Sequence, residues 1–315
     1  MVNIIQTMVK KIIVTGGTGL VGSGIKTIED QYPDIEFFYL NQKDCDLKNY
    51  QDTLEVFKRI QPHTVIHLAA NVGGLYKNMT QRVEMFEDNM LINLNVIRAS
   101  YQTGVKDLLA CLSTCVFPDG LVPLNETVLH NGAPHPSNEG YAYAKRMLEL
   151  HCRLYTQQFG VNYRCIIPTN IYGKNDNYNL EDSHVIPGLI HRCYLAKQKG
   201  LPFVVRGSGK PIRQFIYNVD LARIIMTILQ QQIKENIIAS PNQEYSIGYI
   251  AKVIANSFDY DNIVFDSTFS DGQYSKTADN KKLMETFQNF RFTDLETGIH
   301  ETVLYFINNY KIVKV

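Results

Sequence analysis

Tyr141 and Lys145 stand four residues apart in Tyr141-Ala142-Tyr143-Ala144-Lys145, a spacing that puts both side chains on one face of a helix. A phenol and an ammonium so placed have a specific use. The cation lowers the phenol's pKa and holds a nicotinamide ribose, and the phenol passes a proton to or from a substrate oxygen. Taken alone, the pair usually only decorates a helix, so its meaning depends on what precedes it. Upstream lies Thr15-Gly16-Gly17-Thr18-Gly19-Leu20-Val21-Gly22, with Gly16, Gly19 and Gly22 three apart. Glycines there let the backbone turn tightly and approach a pyrophosphate, and the N-terminus of a following helix receives the negative charge. The spacing differs from the G-x-G-x-x-G of common dehydrogenases, and glycine turns also serve packing. Between the two motifs, Ser113-Thr114-Cys115 closes the apolar run Leu108 to Leu112 and sets a hydroxyl and a thiol at a strand end.

The elements that must position these groups follow from the apolar pattern. Lys11-Ile12-Ile13-Val14 reads as a buried parallel strand ahead of the glycine turn, with a helix over Ser23 to Glu29. A second strand, Ile35 to Leu40, ends at Asn41, where NAD-specific folds carry a carboxylate for the adenosine ribose. An amide there, with Lys43 close by, tolerates a 2′-phosphate and favours NADP; a solvated polar turn accounts for the same residues. Asp46 and Leu47 fall where the adenine would lie. After a helix over Thr53 to Ile60, the strand Thr64 to Ala70 ends in Leu68, Ala69 and Ala70, small enough for a cofactor to lie against the backbone. A long helix follows from about Met85 to Thr103, and another begins at Tyr141 and runs to about Phe159. The strand Tyr163 to Pro168 leads into Pro168-Thr169-Asn170-Ile171, which should face the nicotinamide half of the cofactor.

Beyond it, Gly173 to Asp182 is polar and irregular, the expected crossing into a smaller lobe, and His184 precedes a helix over Val185 to Ala196 that carries Arg192. Further helices are expected over Asp220 to Gln232, around Ile250 to Phe258, and from Leu295 to Tyr310. The expected fold class is α/β: a Rossmann-type doubly wound parallel sheet with a smaller, mixed α/β C-terminal substrate lobe.

Composition agrees with an enzyme of this kind. The 315 residues suffice for one large or two modest domains, and 45% are hydrophobic. Lys and Arg balance Asp and Glu at 31 each, which argues against a nucleic-acid stripe or a membrane patch. No apolar run is long enough to span a bilayer. Met1 to Val9 lack a charged start and a long apolar stretch, so they read as a short extension, not a secretion signal. Cysteines 45, 111, 115, 152, 165 and 193 show no metal-ligand spacing, and reduced thiols in a cytoplasmic enzyme are expected.

At this point the chain resembles the extended short-chain dehydrogenase/reductase superfamily, and within it the GDP-4-keto-6-deoxymannose epimerase-reductases. The resemblance rests on TGGTGLVG (15–22), HLAANVGG (67–74), LSTCVFP (112–118), HNGAPHPSNEGYAYAKRM (130–147), IPTNIYG (167–173), SHVIPGLIHR (183–192), GSGKPIRQFIY (207–217) and SDGQYSKTA (270–278), in the family's order. It implies NADP(H) as cofactor, a GDP-sugar as substrate, and two epimerisations followed by reduction of a keto group, giving GDP-L-fucose. It implies a discontinuous division: residues 1–172 plus about 214–235 for the dinucleotide, and about 173–213 with 236–315 for the sugar. It also implies a homodimer built on the helices 85–103 and 141–159.

The matching residues take their roles from the family. Ser113 and Tyr141 donate to the keto oxygen, and Cys115 and His184 exchange protons on the two faces of the sugar, His184 also reaching the cofactor. Arg192, Arg213 and Lys276 hold the diphosphate, and Asp271 accepts from the sugar or base. Arg206 stands where the family often has Trp, which leaves substrate contact there open. From position alone, Cys115 reads as readily as a small buried hydrophobe, and His184 as a helix-start residue. Two rivals follow: another nucleotide-sugar epimerase or 4-reductase, most of which lack a counterpart of Cys115 and His184, and a non-catalytic NADP sensor, a kind that typically loses the Tyr141–Lys145 pair.

Overall fold

Short apolar runs, each too hydrophobic to leave one face in water, assemble into a parallel sheet covered on both sides. The computed structural model describes residues 9–271 and 274–313, so nearly all of the Met1–Val9 extension lies outside it. In chain order the elements are β1 (Lys10–Thr15), α1 (Leu20–Ile28), β2 (Ile35–Leu40), α2 (Tyr50–Ile60), β3 (Thr64–His67), α3 (Leu75–Thr80), α4 (Arg82–Gln102) and β4 (Asp107–Cys111). Then come α5 (Glu139–Phe159), β5 (Asn162–Pro168), β6 (Asn170–Tyr172), α6 (Val185–Lys199), β7 (Phe203–Arg206), β8 (Ile212–Arg213), β9 (Phe215–Tyr217) and α7 (Asn218–Gln230). The chain closes with β10 (Ile237–Ala239), β11 (Tyr245–Ser246), α8 (Ile247–Ser257), β12 (Ile263–Asp266), α9 (Lys281–Thr286) and α10 (Leu295–Asn309).

The main sheet has the order β10-β5-β4-β3-β1-β2, parallel throughout. Ile12 lies opposite both Phe37 and Thr64, which fixes β1 between β2 and β3. Alternation along the strands sends side chains to two cores. Ile13, Val65 and Leu108 pack with α2, α4 and α5, whereas Ile12, Val14, Ile66 and Leu109 pack with α1, α7 and α9. Burial on both faces explains why these strands read as unbroken apolar runs. From β1 the chain winds one way to β2 and the other way through β3, β4 and β5. That reversal opens a crevice at the carboxyl ends of β1 and β3, where ligands of such sheets bind.

A third core holds α6, α8 and α10 together around Ile190, Ile254, Ile299 and Phe306. The two-stranded pairings β7 with β12 and β8 with β11 belong to this side of the molecule. The chain adds one more strand to the main sheet just past the boundary expected at about residue 235. Ile237–Ala239 pairs with Ile166–Pro168 as the edge strand of the main sheet, and Leu283 and Phe287 join the core beneath it. Three apolar residues sufficed because the edge strand completes an existing ladder, so the second lobe regains the chain only after β10.

Candidate active site

The phosphate turn is built as its glycines require. Gly16 has φ +67, and a Cβ there would stand 2.9 Å from both Cα and N of Ala69, so the turn lies directly on the end of the strand β3. Gly19 begins α1 without any side-chain cap, and the first turn carries no acidic residue, so its N–H groups and positive dipole end stay available to an anion. Gly17 and Gly22 serve packing: a Cβ on Gly17 would strike Tyr39, and one on Gly22 would strike the Gly17 carbonyl.

From this turn a cleft of about 790 Å³ runs across the carboxyl edge of the sheet. Gly16, Thr18, Gly19, Leu20 and Val21 line one end, with Asn41, Asp46 and Leu47 beside them. Leu68, Ala69 and Ala70 form its floor, and Pro168, Thr169, Asn170 and Ile171 its far wall. Ser113, Tyr141, Lys145 and His184 complete it. The residues that would hold a dinucleotide therefore adjoin those that would do chemistry. An uncapped helix start, a turn with no room for a Cβ, and a cleft of this length fit a dinucleotide.

At Asn41 the backbone N–H donates to the Asp44 carboxylate at 2.9 Å, and the side-chain oxygen accepts from Lys43 N at 2.8 Å. Lys48, not Lys43, joins Asn41 and Gln42 in the cleft wall, where it pairs with Asp88 at 3.2 Å. Lys48 was legible only as one more charged residue of a loop. Asn71, Lys77 and Asp182 were likewise unread, and they sit where the two lobes meet: Gly74 N donates to both the backbone and side-chain oxygens of Asp182, at 3.1 Å each.

The helix α5 carries the pair that the spacing put on one face. Lys145 is buried, and its Nζ donates to the Cys111 carbonyl at 2.7 Å. On the same helix the Tyr141 ring centre lies 5.8 Å from the Lys145 Nζ. Burial pushes that phenol well above its usual range, with Cys115 and Cys111 acting in the same direction. Burial also holds the Lys145 ammonium below its ordinary value. Tyr141 thus stands as a protonated donor, the state needed to deliver a proton to a reduced keto oxygen.

Ser113 and Cys115 flank the first turn after β4, and the Ser113 hydroxyl accepts from Cys115 N at 3.5 Å. Burial raises the Cys115 thiol, while Lys276 opposes it most strongly and Ser113 and Lys145 add to that opposition. Cys115 does not itself line the cleft; it is 8% exposed, next to the lining residue Thr114 and near Lys276. His184 starts α6 without capping it and opens into the cleft. The ring is exposed to the cleft, yet the protein atoms crowded around it hold its imidazole below the ordinary value, with Asp182 pulling the other way.

The remaining predicted residues gather in the second lobe, outside that cleft. Burial lowers Arg192, Arg206 pushes the same way and Glu181 opposes. Arg192 Nε is buried without a hydrogen-bond partner among the described residues. Burial likewise lowers Lys276, where Cys115 opposes and Arg213 adds to the depression. Cations held close enough to disfavour one another make a place for an anion of more than one charge. Arg213 donates to the carbonyls of Ile212 and Tyr274. Arg206 lies over the Phe269 ring at 4.9 Å and pairs with Glu181 at 3.9 Å. Asp271 is engaged locally, accepting from Ser208 N and Oγ at 2.6 Å each and so holding the Gly207–Ser208 turn.

Fold and site together define a Rossmann-type enzyme that works on a substrate beside a dinucleotide. The chain belongs to the NAD dependent epimerase/dehydratase family, whose model matches residues 12–248. It is 43% identical to a GDP-L-fucose synthase of Dictyostelium discoideum, over 98% of either chain. With a probable GDP-L-fucose synthase of Drosophila melanogaster it shares 44% identity over 96% of this chain and 98% of the relative. Among solved structures, a GDP-L-fucose synthetase of Naegleria fowleri bound to NADP superposes with a TM-score of 0.91 at 42% identity, covering 98% of this chain and 96% of that one.

Proposed function

We propose that this protein converts GDP-4-keto-6-deoxy-D-mannose to GDP-L-fucose, by epimerisation at the two carbons flanking the keto group and NADPH-dependent reduction of that group. The observation that carries the reading is that Ser113, Tyr141, Lys145 and His184 line the same cleft as the uncapped phosphate turn. Similarity over the full chain to relatives named for this product supports it.

NADPH, when bound, supplies the hydride for the keto carbon. Gly16, Gly19 and the start of α1 hold its pyrophosphate, Asn41 accommodates the 2′-phosphate, and Lys145 holds the nicotinamide ribose. Leu68 to Ala70, and Pro168 to Ile171, enclose it. Ser113 and Tyr141 donate hydrogen bonds to the keto oxygen. These donors stabilise the negative charge that develops there as an adjacent carbon loses its proton, which is what makes that proton acidic enough to remove. Cys115 and His184 take and return protons on opposite faces of the ring, so that inversion results. In the last step Tyr141 gives its proton to the oxygen of the reduced carbon. Arg192, Arg213 and Lys276 hold the GDP diphosphate, whose charge offsets the repulsion of Arg206 on Arg192 and of Arg213 on Lys276. Arg206 and Asp271 border the same site.

The division of labour follows the cores: residues up to 172 with 214–239 and 280–292 for the dinucleotide, and residues 173–213 and 245–271 with α10 for the sugar. The chain works as a cytoplasmic homodimer. Val83, Phe86, Leu91 and Leu94 on α4 and Leu154 and Phe159 on α5 are exposed apolar residues that a second copy would cover. Six cysteines, all free and buried, suit a reducing compartment. Among the described residues, no helix is long and apolar enough to cross a membrane.

The test is incubation of the purified protein with GDP-4-keto-6-deoxy-D-mannose and NADPH, with the sugar identified by NMR. GDP-L-fucose is expected; oxidation of NADPH to yield any other sugar as the main product would overturn the reading.

A further inference from the structure

The chemistry above leaves one buried polar chain unused. His67 ends β3 with no exposed surface, and both its ring nitrogens have partners: Nδ1 meets Thr15 Oγ1 at 2.8 Å, and Nε2 meets Asn93 Oδ1 at 3.0 Å. The direction of every hydrogen can be worked out. Thr15 Oγ1 already accepts from Leu68 N at 3.1 Å and Ala69 N at 3.2 Å, so its own hydrogen is the one that points to His67. Nδ1 therefore accepts, and Nε2 carries the ring hydrogen and donates to Asn93. That leaves the Asn93 amide nitrogen to donate, and it faces the Ala144 carbonyl at 3.4 Å. A protonated imidazole would have two donors facing each other across Nδ1 and Thr15. Burial and the Lys145 ammonium both oppose that state, holding His67 at about 3.

The two ends of this chain are the two halves of the site. Thr15 immediately precedes Gly16 of the phosphate turn, and its hydroxyl fixes the Leu68 and Ala69 amides of the cleft floor. Ala144 immediately precedes Lys145 on α5. We infer that His67, as its neutral Nε2–H tautomer, is a positioning residue that sets the dinucleotide turn and the Tyr141–Lys145 helix relative to each other through Thr15 and Asn93. An apolar side chain of similar size would fill the volume but leave the Thr15 hydroxyl hydrogen and the Asn93 Oδ1 unpartnered in the interior, which is costly. The inference rests on the proposed reaction for its meaning, but not for its measurement.

Two experiments decide it. In protein labelled with ¹⁵N-histidine, the His67 ring should show the Nε2–H tautomer at pH 7 and stay unprotonated down to pH 5. Its signal is assigned in the natural protein by nuclear Overhauser contacts of the ring with the Thr15 methyl group and the Asn93 side-chain amide. An Nδ1–H tautomer, or titration within that range, overturns the inference in the natural protein even if no variant folds. The second experiment separates the two ends. Thr15→Val should weaken NADPH binding about tenfold while leaving kcat at saturation within about twofold, and Thr15→Ser should restore it. Asn93→Leu should lower kcat about tenfold with the NADPH Kd within about twofold. Folded variants that lose stability but keep both constants would make the chain merely structural and overturn the inference. Failure of the proposed reaction would show differently, as absence of NADPH binding or of fucose formation in the natural protein.

Discussion

Lys145 Nζ lies 5.8 Å from the centre of the Tyr141 ring and donates to the Cys111 carbonyl at 2.7 Å. The ammonium is thus anchored to the end of β4, and its position does not depend on the phenol. The phenol, pushed well upward by burial, holds its proton until a stronger base forms beside it. An alkoxide at a newly reduced carbon is such a base, whereas the keto oxygen of the bound sugar is not. This ordering separates the role of Tyr141 in reduction from cofactor binding.

Tyr141→Phe therefore removes the proton donor for reduction together with one of the two hydrogen bonds to the keto oxygen, and leaves Ser113 and the cofactor contacts in place. Reduction of the keto group is expected to fall by about a hundredfold or more, with NADPH affinity nearly unchanged. Stopped-flow oxidation of NADPH, alongside a fluorescence titration of NADPH binding, checks both parts. Reduction at a near-normal rate would remove Tyr141 from this role.

The 2′-phosphate prediction turns on Asn41, whose side-chain oxygen accepts from Lys43 N. Asn41→Asp keeps that acceptor, so the turn should fold as before, but it sets a carboxylate in the cleft wall. Like-charge repulsion should weaken NADPH by about tenfold or more while sparing NADH, narrowing or reversing the preference. Dissociation constants for the two cofactors, measured in both proteins, decide it; equal values in the natural protein would sink the assignment.

What could be read from residue order divides along physical lines. β1, β4 and β5 were legible because burial on both faces leaves apolar runs, β2 by the apolar stretch Phe37 to Leu40 at the sheet edge, and α4 and α5 because they are long. β10 escaped because three residues, Ile237 to Ala239, carry no periodicity; a sheet edge made them a strand. α3 was hidden behind Gly73-Gly74, which reads as a loop until the contact of Gly74 with Asp182 holds it. The residues of the site were legible by spacing and family pattern, but their protonation was not. The phenol's upward displacement comes from how deeply α5 is buried, and no i to i+4 spacing encodes depth.

The pH prediction for Cys115 turns on Lys276. Burial raises the thiol, and the Lys276 ammonium is the largest influence holding it down. Lys276→Met removes that charge, so the thiol's pKa rises and less thiolate exists at any given pH. The alkaline-rising limb of proton exchange should move to higher pH, whereas Lys276→Arg should leave it near its natural place. The KM for the GDP-sugar should also rise in Lys276→Met, because a diphosphate contact is lost. An unmoved limb in Lys276→Met would show that this ammonium does not act on the thiol.

The proposed reaction divides most sharply between proton exchange, assigned to Cys115 and His184, and the final protonation after hydride transfer, assigned to Tyr141. Cys115→Ser keeps the size of the side chain and its place beside Ser113, but raises its pKa far beyond working range. Proton abstraction by that group should fall by about a hundredfold or more. Tyr141, Lys145 and the phosphate turn remain, so the variant should still bind NADPH and reduce the keto-sugar. Its product is then a GDP-6-deoxyhexose with one or both neighbouring centres uninverted. His184→Gln should slow the proton transfers that need the opposite face, and should weaken NADPH if the ring meets the cofactor as its place in the cleft wall suggests. Incubation in deuterated water labels each carbon that has exchanged a proton, so NMR of the product reads both effects at once. Deuterium at both carbons in Cys115→Ser, with fucose still the main product, would reduce this cysteine to a packing residue and leave His184 without a partner in inversion.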